Sequence, residues 1–189
     1  MQSEIAAHIA LDKELEKFKV FRTVFFADMM GSTKYFCQYG DVAGLVQTHK
    51  CLDIQAAVAE KHAGIIAKTM GDTLMAYFEE PIDAVHAAIE ILKTLAKYNQ
   101  HQLEEQKIHI RVGLNCGLAI LKDRDLFGLM VNIAAKIKSV AMVDEILISS
   151  SLEEKISGGQ IPLAKDSGRV VKINGEKFEV FKVLWREII

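Results

Sequence analysis

Cysteine is scarce in this chain and shows no pairing pattern: Cys37, Cys51 and Cys116 are odd in number, scattered, and include no CxxC. That leaves out a disulfide framework and a structural zinc site, and a reducing cytoplasm is the compartment that fits. Proline is confined to Pro81 and Pro162. Without a Pro-rich linker, a low-complexity tract or an internal repeat, nothing divides the chain. An excess of either charge is missing too. With 23 basic and 25 acidic residues and a formal net charge of -2, there is no basic field of the kind that nucleic acid or an anionic membrane needs. An anionic ligand must therefore be met by local groups. No apolar run reaches membrane-spanning length, and the first residues, with Glu4, His8 and Asp12 among small apolar ones, lack the layout of a signal peptide. The six histidines show no HExxH or similar metal-ligand spacing. The expectation is a soluble, cytoplasmic chain with no nucleic-acid partner and no membrane segment.

What the chain does have is apolar bulk. Half of its 189 residues are hydrophobic, enough for one well-buried core and too short a chain for two ordinary domains. Residues 1–18 read as an amphipathic lead-in helix or linker, and 19–189 as the domain. "FKVFRTVFFAD" is nearly continuous in apolar character, which suits a strand at a sheet centre. Ser32 or Thr33 is placed to cap a following helix and Asp41 to cap a longer one that Gly64 ends. "GIIAKTMGDTLMAYFEE" is two β-type runs joined at a Gly71-Asp72 turn. Pro81 opens a helix whose apolar stripe runs through Val85, Ala88, Ile89, Leu92 and Leu95. "KIHIRVGLNCGLAIL" is a further strand in which Gly113 and Gly117 indicate a bulge or close approach. A short helix from about Phe127 to Lys138, the strand "EILIS" and a C-terminal hairpin at Asn174-Gly175 follow. This order predicts an α+β fold, a ferredoxin-like βαββαβ sandwich with additional strands and a C-terminal hairpin.

Two groups of residues carry chemistry. In "VFFADMMGST" an apolar strand ends on Asp28, and Asp72 lies in the tip of the neighbouring hairpin, so one sheet edge can receive both carboxylates. Paired carboxylates suit a hard cation that completes its coordination with water and phosphate oxygens. Met29, Met30, Gly31, Ser32 and Thr33, entering a helix, offer backbone N–H groups to those phosphates. The same aspartates have ordinary structural uses, as a helix N-cap and a turn former. Asn132 and Lys136, four residues apart in "DLFGLMVNIAAKIKS", share one helix face. Against a ligand role stands the reading of Asn132 as a satisfied polar residue and of Lys136 and Lys138 as solvated charges.

"FFADMMGST", "KTMGDTLMAYF", "RVGLNCG" and "DLFGLMVNIAAK", in this order and spacing, resemble the class III nucleotidyl cyclases, the adenylate and guanylate cyclase family, over about residues 20 to 185. The resemblance implies a head-to-tail homodimer whose sites draw on both subunits. It also implies two Mg²⁺ or Mn²⁺ ions held by Asp28 and Asp72, and ATP converted to 3′,5′-cyclic AMP and pyrophosphate by attack of the 3′-hydroxyl on the α-phosphate. Lys68 and Asp125 match the purine-reading positions. A lysine donor and an aspartate acceptor favour adenine, where guanylate cyclases of the family usually carry Glu and a Cys-like residue. Asn132 matches the asparagine that positions the ribose. The Arg expected four residues later, at the α-phosphate, is Lys136 here, which keeps the charge and loses the planar fork, so weak cyclisation is expected. The resemblance also implies a basic residue that reaches the triphosphate from the loop before the final strand; Lys172 is the candidate for it, with Lys177 as its alternative. Two other readings stay open: a degenerate cyclase acting as a nucleotide-binding or regulatory module, and a cyclase of other base specificity, guanylate or pyrimidine.

Overall fold

Strand β1 (Lys19–Met29) is buried on both faces from Thr23 onward, which is why its sequence does not alternate. Phe25, Ala27 and Met29 point into one core and Val24 and Phe26 into another. The computed structural model describes residues 14–158 and 161–188. Most of the expected lead-in helix, residues 1–13, lies outside them; the rest ends in a 3₁₀ turn, Glu16–Phe18.

On either side of β1 lie β3 (Thr73–Phe78) and β4 (Ile110–Lys122), both antiparallel to it. With β2 (Ile65–Met70) outside β3, the order β2-β3-β1-β4 is that of the ferredoxin-like plan. The sheet continues through β6 (Glu145–Ser149), parallel to β4, then β8 (Glu176–Val183) and β7 (Leu163–Ile173). A three-residue strand, β5 (Asp125–Phe127), folds back on β4. Helices α1 (Ser32–Lys61), α2 (Pro81–Asn99) and α4 (Ser150–Ile156) cover the Phe25 face, where Phe25 and Phe78 meet edge to face at 6.2 Å. Helix α3 (Leu129–Val140) covers the other face, packing Met130 and Ala134 on Val24 and Phe26.

Local chemistry explains most of the junctions. Gly71 takes φ 63 in the β2–β3 turn, and Asn174 and Gly175 take φ 48 and φ 87 between β7 and β8, as a two-residue hairpin of this type requires. The two helices expected after β1 are one segment broken at Gly40, where φ 82 interrupts the helical backbone. One expectation needs correction: neither Ser32 nor Thr33 caps α1. The N-cap is Gly31 in the left-handed region with no side-chain cap, because the Ser32 hydroxyl is turned to Asp72 instead. Helix α4 and strand β5 were not anticipated. No helix among the described residues is long and apolar enough to cross a membrane.

Candidate active site

Asp28 is delivered by β1 to the sheet edge, where its register partners are Thr73 on β3 and Arg111 on β4. It is 7% exposed, and the hydrogen bonds and ion pairs of its carboxylate among the described residues come from Arg111, Thr73 and Lys138. Arg111 gives two N–H bonds to Oδ2, from Nε at 2.9 Å and Nη2 at 2.7 Å. On the other oxygen, Thr73 Oγ1 donates to Oδ1, and the Lys138 ammonium lies 3.3 Å from that atom. Burial opposes ionisation of Asp28, but the Thr73 and Arg111 hydrogen bonds and the Lys138 charge outweigh it and hold its pKa below the ordinary value. The carboxylate is charged at neutral pH.

Lys138 reaches this position through a close approach of backbones. A Cβ built on Gly113 of β4 would lie 2.2 Å from the Lys138 N atom, so the last turn of α3 rests on β4 where only glycine fits. Arg111 fastens the same turn, donating from Nη1 to the Ser139 carbonyl at 3.2 Å. The close approach expected at Gly113 is therefore real.

Asp72 sits beside Asp28. The Met29 N–H donates to the Asp72 carbonyl at 3.3 Å, and the Ser32 hydroxyl donates to its carboxylate. Both acceptor sets are hard oxygens, the donor chemistry that Mg²⁺ and Mn²⁺ take, so the residues at this joint fit a divalent ion. Of the backbone N–H groups expected to face phosphate, those of Met29 and Met30 are used inside the fold, Met30 donating to the His109 carbonyl at 2.8 Å. Those of Gly31, Ser32 and Thr33 stand at the start of α1, where the helix leaves N–H groups without internal partners. A cleft of about 370 Å³ opens here, lined by Ser32, Thr33, Phe36, Leu45, Thr48 and Asp72 among others. Beneath the joint, Cys51 is fully buried and takes a hydrogen bond from Gln55 at 2.9 Å. Burial first, with the negative field of Asp72 and Asp28, pushes its pKa up to about 12, so it is a thiol and no nucleophile.

Lys68 and Asp125 also come together. Lys68 Nζ lies 2.5 Å from Asp125 Oδ2 and 5.8 Å from the Phe127 ring centroid, because β5 carries both Asp125 and Phe127 over β2. Asn132 and Lys136 are exposed on α3, and among the described residues neither side chain has a hydrogen-bond or ion-pair partner. Lys172 pairs in register with Lys177 across the β7–β8 hairpin, and both are exposed. Sequence reasoning missed Arg111, Lys138 and Thr73. Arg111 left a signal, a lone charge inside the apolar strand "IHIRVGLN"; Lys138 left none, since its face of α3 is settled by contact with β4.

Comparison with known proteins bears on the family and the fold. The model of the adenylate and guanylate cyclase catalytic domain matches residues 18–183. A putative adenylate cyclase 3 of Rhizobium meliloti is 34% identical over 97 residues, 51% of this chain and 16% of that protein. An adenylate cyclase of Streptomyces coelicolor is 25% identical over 133 residues, 69% of this chain and 33% of that protein. The chain thus matches at most a third of the length of these relatives. Among solved structures, the adenylyl cyclase CyaB from P. aeruginosa has a TM-score of 0.79 at 23% identity, covering 88% of this chain and 94% of that one, which is a likeness of fold.

Proposed function

The chain belongs to the adenylate and guanylate cyclase catalytic domain family, and on that footing we propose that it converts ATP to 3′,5′-cyclic AMP and pyrophosphate as one half of a homodimer. The observation that carries this reading is the joint at the end of β1, where Asp28 and Asp72 lie side by side next to the open start of α1. Bound there, two Mg²⁺ or Mn²⁺ ions would neutralise triphosphate charge and act as Lewis acids on the reacting oxygens, with Asp28 and Asp72 as the residues that hold them. The N–H groups of Gly31, Ser32 and Thr33 bind terminal phosphate oxygens, and Lys172 adds charge from the C-terminal hairpin.

Lys68 and Asp125 read the base. Poised on each other in the free protein, they separate to let Lys68 donate to an adenine ring nitrogen and Asp125 accept from the exocyclic amine. Asn132 orients the ribose, and Lys136 meets the α-phosphate as negative charge gathers on it; both side chains stand clear of the fold and available to a ligand. In the reaction the 3′-oxygen forms a bond to the α-phosphorus, the bond from that phosphorus to the pyrophosphate oxygen breaks, and the hydroxyl proton leaves to solvent. Positioning and electrostatics supply the acceleration.

A head-to-tail dimer is supported by apolar side chains that one chain leaves uncovered, including Val42 (80% exposed), Val46 (65%) and Leu118 (61%). An isologous pairing of such a surface gives two equivalent sites. The deciding experiment is incubation of the purified chain with Mn²⁺ and each of the four ribonucleoside triphosphates. Cyclic AMP from ATP is the expected product. Preferential cyclisation of another nucleotide would overturn the adenine assignment, and no cyclic product from any of them would leave a non-catalytic module.

A further inference from the structure

The two site carboxylates are not equally free. The Asp72 carboxylate accepts one bond within the described residues, from Ser32. Asp28 accepts from Arg111 Nε and Nη2 on one oxygen and meets Thr73 Oγ1 and Lys138 Nζ on the other. A carboxylate offers about four lone-pair sites; three take hydrogen bonds from Arg111 and Thr73, and the Lys138 ammonium stands against the remaining one as an ion pair. A divalent ion cannot bind Asp28 without displacing one of these groups.

We propose that Lys138 is a built-in counter-ion that competes with the divalent cation for Asp28 Oδ1, so that metal binding requires its ammonium to swing aside. The proposal rests on the reading of Asp28 as a metal ligand. Of these groups, Lys138 is the one that can leave. Arg111 holds Oδ2 with a planar fork and is tied at its third nitrogen to Ser139. Thr73 is the strand partner of Asp28. Lys138 makes the longest contact, 3.3 Å, and has no other ion-pair partner among the described residues. Its ammonium is a point charge on a flexible stem. Because Gly113 fixes the Lys138 backbone, its departure is a side-chain rotation and leaves α3 in place.

Charge gives the consequence. Arg111 and Lys138 balance Asp28 and Asp72, so a bare divalent ion meets a joint with no net negative charge, whereas one arriving on a triphosphate brings the anion that draws the ammonium away. Lys138 thereby discriminates against metal without nucleotide.

The test is Mn²⁺ titration of the nucleotide-free full chain, following free Mn²⁺ by electron paramagnetic resonance. Wild type is compared with Lys138→Met, Lys138→Gln, Lys138→Arg and Asp28→Asn, each checked for wild-type circular dichroism. Removing the charge is expected to tighten Mn²⁺ binding about tenfold or more in the Met and Gln variants, with Arg remaining near wild type. Unchanged or weaker binding in both Met and Gln variants overturns the role of Lys138. Wild-type affinity in Asp28→Asn would instead remove the metal reading of Asp28, and the proposal with it.

Discussion

In the proposed site Lys136 stands where the resemblance to the cyclases calls for arginine, and the departure has a direction. In the proposed reaction an ammonium stands in for a guanidinium where negative charge builds, so charge is kept and bidentate geometry is lost. Lys136→Arg is expected to raise kcat with ATP and Mn²⁺, and Lys136→Ala to lower it by about 10- to 100-fold, on the order of 1 to 3 kcal/mol. Full activity in Lys136→Ala would remove the residue from the site. A second residue matters for stability. Glu145 is 3% exposed; burial alone would raise its pKa, but bonds from Arg169, the Met142 N–H and Lys182 outweigh that and hold it at about 2. Its folded value therefore lies below the ordinary 4.5, so its contribution is complete above about pH 4.5 and is lost as the pH falls toward 2. Chemical denaturation of Glu145→Gln should show a loss of about 3 kcal/mol at neutral pH and a shallower decline across that acid window.

At the level of elements, the contact between β4 and α3 organises the site. A Cβ on Gly113 meets the Lys138 backbone at 2.2 Å, with no flexible side chain to yield, whereas one on Gly117 meets the Met130 side chain at 3.4 Å. Gly113→Ala should cost about 3 kcal/mol or displace the end of α3, and Gly117→Ala should be nearly neutral, by urea midpoints. Equal midpoints would refute the close approach. Elements with strong local signals were legible in the sequence: the unbroken apolar run of β1, the Gly71 and Asn174-Gly175 turns, and Pro81 opening α2. Strand β5 and helix α4 were not. Three residues and seven residues hold too little periodicity to register, and both depend on β4 or on a neighbouring helix for partners.

For the whole molecule, the apolar side chains left on the surface of one chain, Val42 and Val46 among them, bear on assembly. If they meet a second copy, specific activity should fall on dilution, because a site shared by two subunits is lost with the dimer. Val42→Glu combined with Val46→Glu should shift sedimentation toward the monomer and abolish cyclase activity while leaving the melting temperature near wild type; an active monomer would sink the shared-site reading. The sequence by itself determined the α+β order of elements, the carboxylates at positions 28 and 72 and the likeness to cyclases, because apolar periodicity, turn chemistry and motif spacing are written locally. Only the tertiary structure decided what surrounds Asp28. Arg111 is 83 residues away, and it reaches that carboxylate through strand register, while Lys138 does so through the approach of a helix to a glycine. No local pattern encodes either, since the electrostatics of a buried group are set by whichever distant residues packing brings within a few ångströms.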